Sequence, residues 1–370
     1  MVASPPRLKT EIVSGRRLYW FLLTGLLVNG LFSDFIGDRL SHPLTSFTLP
    51  FGVCVGLVSG LGVWAVPWLR RLKAGQVIRE DGPQSHLRKA GTPTMGGIFF
   101  VPVALVLSVI WAWMTGTQAV EVTAAALLTL VLGFVGWLDD WQVLRKKSNK
   151  GLSAKVRLAI EFGAGGLFAF WLLLTKPAIA TLMLPFGVAI PIGILFLFLA
   201  IFVVAAESNA VNLTDGMDGL AAGTTAIALF GLGQIIAPHD PGLMMFCACM
   251  SGSCIGFLTH NHNPAKVFMG DTGSLALGGA LAAVGLMSNS LWALLIVSGL
   301  FLIESLSVIA QVLYYKSTKG PDGIGKRLFK MAPIHHHFEQ SGWSESRVVA
   351  TFYGVVIALA LLALNLSKFA

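Results

Sequence analysis

The sequence contains few charged residues for its length. Asp, Glu, Lys and Arg make up 12% of the 370 residues, whereas soluble domains contain about 25%. Apolar residues make up 55% of the chain, and the mean hydropathy is +0.75. This composition argues against a water-soluble globule, a nucleic-acid-binding protein and a disordered chain. It predicts an integral membrane protein.

Several chemical signatures are also missing from the sequence. The four cysteines lie inside apolar runs and form no CxxC pair or zinc spacing, so we assign them no chemistry. The sequence has no P-loop, GxSxG or HExxH motif. The apolar stretch after the basic segment Met1–Arg17 has no small-residue cleavage site, so we do not expect a removable signal peptide.

Ten apolar segments of about 18–25 residues have the length of membrane-spanning helices. They cover residues 47–69, 94–115, 119–138, 157–175, 186–206, 219–237, 242–259, 271–288, 291–315 and 348–367. A weaker candidate at 18–37 is interrupted by Asn29 and Asp34, and it either lies in the interface or forms an eleventh span. We predict an all-α polytopic membrane protein with an N-terminal segment over 1–46 and a ten-helix catalytic domain over 47–370.

The loops between these spans divide by charge. Five of the loops are separated from one another by an even number of spans. These loops contain nineteen of the 26 Lys and Arg residues. The positive-inside rule makes these five loops cytoplasmic. Eleven acidic residues and six of the eight histidines lie in or beside the same loops. A transporter places ionisable groups near the bilayer midplane, so this pattern favours an enzyme at the cytoplasmic face of the membrane.

Two polar motifs in these loops have both a structural and a functional interpretation. Asp139 and Asp140 end a span, where two carboxylates oppose the helix dipole unless a cation neutralises them; a solvated pair is the alternative. Asn209, Asn212, Asp215 and Asp218 recur every three residues, and their oxygens suit Mg²⁺, ribose or phosphate. A polar turn with Asp218 as the N-cap of the next helix would need only one such residue.

Two further motifs lie in later loops. Asp271, between Gly270 and Gly273, precedes a span and suits either a helix cap or an anion or metal–phosphate site. His335, His336 and His337 suit phosphate or sugar contact, with zinc as the rival because histidine is the commonest metal ligand. Carboxylates, Lys and His at the membrane edge together suit Mg²⁺-assisted phosphoryl transfer between a lipid-borne phosphate and a nucleotide.

Five motifs in one order carry a family resemblance. They are Thr92-Pro93-Thr94-Met95-Gly96-Gly97, Asp139-Asp140, Asn209 through Gly219, Phe268-Met269-Gly270-Asp271 and Pro333-Ile334-His335-His336-His337. From about Gly75 onward the chain resembles the phospho-N-acetylmuramoyl-pentapeptide transferases, which belong to the polyprenyl-phosphate N-acetylhexosamine-1-phosphate transferase superfamily.

The resemblance implies an architecture, a location and a reaction. It implies ten transmembrane helices, a homodimer, Mg²⁺ as cofactor and catalysis at the cytoplasmic face of the bacterial inner membrane. It implies transfer of phospho-N-acetylmuramoyl-pentapeptide from UDP-N-acetylmuramoyl-pentapeptide to undecaprenyl phosphate, which gives lipid I and UMP in peptidoglycan synthesis.

The resemblance also implies residue roles. Asp139 is similar to the base on the lipid phosphate, with Asp140 beside it, and Asp271 to the Mg²⁺ ligand. The remaining positions match substrate-binding positions of the family. These are Asn209, Asn212, Asp215, Gly216 and Asp218 for the nucleotide, Asn261 and Phe268 flanking the uridine, Lys89 on the uridine side, the basic pair Lys155 and Arg157, His335, His336 and His337 at the sugar or diphosphate, and Gln311. The family commonly has Lys where this chain has Arg157.

Three alternative functions are weaker. A polyprenyl-phosphate transferase that uses UDP-N-acetylglucosamine fits the superfamily, but the His triplet and the Thr92–Gly97 run favour the muramoyl substrate. A transporter for a lipid-linked sugar conflicts with the loop-clustered charges. An inactive lipid-binding homologue is disfavoured because no expected site position is visibly lost.

Overall fold

The structure is a computed structural model, and it describes residues 14–72, 91–146 and 151–369. Within these residues the chain forms thirteen α-helices and one two-stranded hairpin. The helices are α1 Gly15–Ile36, α2 Thr48–Arg71, α3 Gly97–Thr115, α4 Ala119–Lys146, α5 Ala154–Thr175, α6 Leu195–Thr214, α7 Leu220–Ile236, α8 Pro241–Asn261, α9 Gly270–Met287, α10 Leu291–Val297, α11 Gly299–Ser317, α12 Ile334–Gln340 and α13 Glu345–Leu366. The strands β1 Thr181–Leu184 and β2 Val188–Pro191 pair antiparallel.

The prediction of an all-α polytopic membrane protein is confirmed. In the described part of the chain, nine helices are long and apolar enough to cross a membrane, and α7 is a shorter apolar helix. Three boundaries differ clearly from the predicted spans. The span predicted at 119–138 continues as α4 to Lys146, so Asp139 and Asp140 lie within the helix and not at its end. The segment predicted at 186–206 begins with the end of a 3-10 turn and with β2, and its helix starts only at Leu195 because Pro191 and Gly193 intervene. The segment predicted at 291–315 is divided between α10 and α11 at Ser298.

The helices α7, α8 and α9 form the centre of the bundle. Nearly all of their side chains are buried, and the other long helices surround them. Small residues let the outer helices approach the start of α9. A Cβ at Gly97 of α3 would collide with the backbone of Gly273, and a Cβ at Gly136 of α4 would collide with that of Asp271. Direct backbone contact of this kind is typical of helix packing in membranes, and here it fixes the first turn of α9.

The end of the bundle where α4 ends and α9 begins carries most of the polar motifs, and we call it the site end. The helix α1 reaches this end, because Gly15 lies against the backbone of Asn263. At its other end, the buried Asp34 accepts hydrogen bonds from the N–H groups of Phe47 (2.9 Å) and Thr48 (2.8 Å) at the start of α2. Its 22 residues give a length of about 33 Å, close to the thickness of a bilayer core.

The division of the chain into two parts at residue 46 and the interfacial position of residues 18–37 stay predictions. The length of α1 and its contacts at both ends of the bundle favour an eleventh crossing, which would put its N-terminus at the site end.

Single-cysteine labelling tests this crossing. In a background without the four native cysteines, Ser14→Cys and Gly320→Cys should react with an impermeant maleimide from the same side of the membrane, because both positions lie at the site end. Ser41→Cys, in the exposed loop between α1 and α2, should react from the opposite side. Reaction of Ser14→Cys and Ser41→Cys from one side would show that α1 does not cross.

Candidate active site

The adjacent residues Asp139 and Asp140 have different surroundings. Asp140 is buried, and its carboxylate accepts hydrogen bonds from the N–H groups of Asp271 (3.2 Å) and Thr272 (3.0 Å) and from the Thr272 hydroxyl (2.6 Å). Asp140 therefore caps the N-terminus of α9, where a negative charge is stabilised. The sequence suggested Asp271 for that cap, whereas the structure supplies it from the neighbouring helix α4.

Asp139 turns away from α9 toward the loop before α5. Its carboxylate accepts a hydrogen bond from the N–H of Leu152 at 2.8 Å. It lies so close to Gly151 that a Cβ at that position would collide with it. Consecutive helical residues point about 100° apart, so the two carboxylates do not face one point.

Arg157 of α5 is the centre of a closed polar network. Its guanidinium donates to Glu161 (3.2 Å), Asp271 (3.0 Å), Asn209 (2.6 Å) and Asn212 (3.2 Å). Glu161 is fully buried, so this pairing offsets the cost of placing its carboxylate in the protein. The guanidinium has five donors in a planar fork, and such a group can serve several oxygens at once.

The two asparagines complete this network from α6. The amide of Asn209 donates to Glu161 at 2.7 Å, and the amide of Asn212 donates to Asp271 and to the Ser274 hydroxyl, both at 2.9 Å. Both carboxylate oxygens of Asp271 therefore have partners, one from Arg157 and one from Asn212. The network joins α5, α6 and α9 at the site end.

The four residues that recur every three positions, Asn209, Asn212, Asp215 and Asp218, divide into two groups. The first two residues belong to the network of Arg157, on the last turns of α6. Asp218 lies beyond the helix end and accepts hydrogen bonds from the side chain of Asn263 (3.1 Å) and the N–H of Ala265 (3.0 Å). The series does not converge on one point, because α6 ends at Thr214 and the chain reverses before α7.

A second polar group holds the turn before α7, which we call the glycine turn (residues 215–219). The side chain of Asn261 accepts a hydrogen bond from the N–H of Gly219 at 3.0 Å, and the hydroxyl of Tyr353 donates to the Gly219 carbonyl at 2.7 Å. Glu345 accepts from the N–H of Asp218 at 2.7 Å. Gly219 has a φ of +79°, a left-handed conformation that favours glycine.

Sequence reasoning did not assign Glu345 and Tyr353 to the site. Both are on α13, more than 120 residues from the turn that they hold. A signal for Tyr353 was available, because a tyrosine hydroxyl inside an apolar helix needs a hydrogen-bond partner. Sequence reasoning did not assign Glu161 and Glu304 to the site either, and both lie in it.

The remaining predicted residues lie around these two groups. The backbone of Phe268 pairs with the Thr92–Gly97 run, through its N–H to Pro93 (2.8 Å) and its carbonyl to Gly96 (2.9 Å), and its side chain is partly exposed. Gln311 uses its carbonyl oxygen to accept from the N–H groups of Leu328 and Phe329. Lys155 is exposed in the first turn of α5. Lys89 lies outside the described residues.

The three histidines point in different directions. His335 is fully buried, and its Nδ1 lies 3.0 Å from Glu304. Nδ1 of His336 lies 3.2 Å from Glu339, and Nδ1 of His337 accepts from the N–H of Lys330 at 3.1 Å. These orientations do not direct the three rings to one ion, so the zinc alternative gains no support from them.

The site end carries excess negative charge around Asp271. Burial, followed by the carboxylates of Asp271 and Asp140, raises the pKa of Asp215 to about 7. Carboxylate and amide oxygens are the ligands that Mg²⁺ prefers, so the donor set fits this ion in kind. Within the described residues, however, no group of three or more His, Cys, Asp or Glu side chains forms a ready metal site. The guanidinium of Arg157 is the cation beside Asp271 here.

Comparison with known proteins agrees with the motifs. A family model for glycosyl transferase family 4 matches residues 122–289, and a phospho-N-acetylmuramoyl-pentapeptide-transferase signature matches residues 89–101. Curated proteins named phospho-N-acetylmuramoyl-pentapeptide-transferase are similar over nearly the whole chain. The protein from Acaryochloris marina is 65% identical over 99% of both chains. The one from Thermosynechococcus vestitus is 56% identical, also over 99% of both.

Proposed function

This chain belongs to the phospho-N-acetylmuramoyl-pentapeptide transferase family, and from that premise we propose the reaction that it catalyses. It transfers phospho-N-acetylmuramoyl-pentapeptide from its UDP-activated form to undecaprenyl phosphate, with release of UMP. The observation that carries the proposal is the convergence of Asp271, Arg157 and Asn212 at the edge of the helix bundle. There a polar substrate from the water and a phosphate from the bilayer can meet.

We place the site end at the cytoplasmic face of the bacterial inner membrane. The support is the concentration of 19 of the 26 basic residues in the loops on that side. A homodimer, implied by the resemblance, stays a prediction. The UDP-N-acetylglucosamine alternative has no observation in its favour, because the similar curated proteins carry the muramoyl name.

In this proposal an oxygen of the lipid phosphate attacks the sugar-linked phosphorus, and the bond from that phosphorus to the UMP oxygen breaks. Asp139 takes the proton of the lipid phosphate when that phosphate carries one. Asp140 holds the first turn of α9 through its three hydrogen bonds and so sets the position of Asp271. Arg157 and Lys155 supply positive charge to the phosphates.

The nucleotide end of the substrate uses the glycine turn. Asp218, Gly216 and Asn261 lie near the uracil, and the partly exposed ring of Phe268 stacks on it. The histidine triplet and Gln311 lie toward the sugar and diphosphate, with the contacts of Glu304 and Phe329 fixing His335 and Gln311.

Asp271 is the residue that would hold Mg²⁺, with oxygens of Asp215 and Asn212 nearby. The ion would supply charge neutralisation for the diphosphate and for the departing UMP. Each carboxylate oxygen of Asp271 accepts one hydrogen bond here and keeps a second lone pair, which would be available to the ion.

The reaction and the role of Asp271 are tested by UMP release from purified protein. We expect UMP only when both substrates and Mg²⁺ are present. Asp271→Asn should lower the rate by about 10²-fold or more, because a charge at the reacting phosphates is lost. Asp240→Asn, the same change at the opposite end of the bundle, is the control. Near-normal turnover of Asp271→Asn at the usual Mg²⁺ concentration would refute the ligand assignment.

The different roles proposed for Asp139 and Asp140 predict that the turnover of their variants depends differently on pH. A phosphate monoester loses its second proton near pH 6, so a base is needed only for the minority of lipid substrate that is still protonated. Asp139→Asn should lower turnover most at low pH, by about twofold near pH 6 where half of the lipid phosphate is still protonated, and the deficit should shrink as the pH rises. Asp140→Asn should show no such rescue, since it weakens the cap of α9.

Turnover of both variants from about pH 6 to 9 decides between these roles. A deficit in Asp139→Asn that does not change with pH would mean that Asp139 binds or positions charge rather than taking a proton.

A further inference from the structure

A fully buried Glu–His pair lies behind the glycine turn. Glu304 of α11 and His335 of α12 are both inaccessible to solvent, and Oε2 of Glu304 lies 3.0 Å from Nδ1 of His335. The two residues are 31 positions apart in sequence, and the long loop after α11 brings them together. The pair joins α12 to the membrane bundle.

The other side of the His335 ring contacts the glycine turn. A Cβ at Gly216 would collide with Nε2 of His335, so the imidazole edge lies directly against the α-carbon of Gly216. No other residue type fits at position 216 while the ring keeps this orientation. The position of the turn therefore depends on how the ring is held.

Two buried polar atoms of the pair lack hydrogen-bond partners in the described structure, and this indicates a function rather than simple packing. Among the described residues, neither Nε2 of His335 nor Oε1 of Glu304 has a hydrogen-bond partner. A buried polar atom without a partner costs free energy, and an apolar pair of the same size would avoid that cost. Since Nδ1 faces a carboxylate, it carries the hydrogen, and Nε2 is directed at the turn.

We propose that Glu304 is a positioning residue for nucleotide binding. By holding Nδ1 of His335, it keeps Nε2 against Gly216 and fixes the glycine turn in the conformation that receives the uridine diphosphate part of the substrate. Glu304 itself contacts no substrate, because the His335 ring lies between it and the turn. This inference rests on the proposed function, in which Gly216 and Asp218 of the same turn lie near the uracil.

The test measures nucleotide affinity separately from turnover. UMP binding is measured by calorimetry on the purified protein with Mg²⁺, and KM is measured for each substrate from UMP release. Glu304→Met keeps the length of the side chain but removes the acceptor, and it should weaken UMP binding by at least about tenfold. The KM for undecaprenyl phosphate should stay within about twofold. Glu304→Gln, which retains an acceptor oxygen, should show a smaller shift of about threefold.

Two further variants separate positioning from structure. Ser307→Ala on the same helix removes a buried hydroxyl that bonds only to a backbone carbonyl in the described structure, and it should bind UMP like the wild type. If Glu304 acts through His335, the double variant Glu304→Met/His335→Ala should bind UMP no more weakly than His335→Ala alone.

The possible outcomes are distinct. A Glu304→Met variant that melts at a lower temperature but binds UMP as tightly as the wild type would overturn the inference, because the residue would then be structural only. If that variant does not fold, an unchanged UMP affinity in Glu304→Gln would overturn it equally. A wild-type protein that releases no UMP would instead refute the proposed function, and the inference with it.

Discussion

The guanidinium of Arg157 is the interaction on which the site depends. It is held among Asp271, Glu161 and the two asparagines of α6, and its own side chain is mostly buried. Without it, the buried carboxylate of Glu161 and that of Asp271 would repel each other and the nearby Asp140 and Asp215. A buried carboxylate left without its partner strongly destabilises a protein. One cation therefore lets four carboxylates and two asparagine side chains share the end of a bundle.

The first turn of α9 is the second constraint. Glycines on α3 and α4 bring their backbones against it, and Asp140 caps it. These contacts place Asp271 where the Arg157 network can reach it. The glycine turn is fixed in a different way, by Asn261, Glu345 and Tyr353 from neighbouring segments. The nucleotide and phosphate ends of the proposed site are thus held by separate sets of residues.

The sequence alone was sufficient for the fold class, for most of the helices and for the motifs that form the site end. Apolar length and loop charge are local properties, and so is the divergence of Asp139 and Asp140 on one helix. The break at Ser298, the hairpin at 181–191 and the division of the asparagine–aspartate series were not predicted. Each depends on where a helix ends or on a contact distant in sequence. The roles of Glu345 and Glu304 were missed for the same reason, since their partners lie on other helices.

The most direct test of this account is the UMP-release rate of Arg157→Met compared with that of Arg157→Lys, in purified protein of verified melting temperature. Lys keeps the charge but not the planar fork, and it is the residue that the family commonly has here, so we expect Arg157→Lys to remain within about tenfold of the wild type. Arg157→Met should lose about 10²-fold or more. A folded Arg157→Met variant with turnover close to that of Arg157→Lys would contradict the central role of this charge.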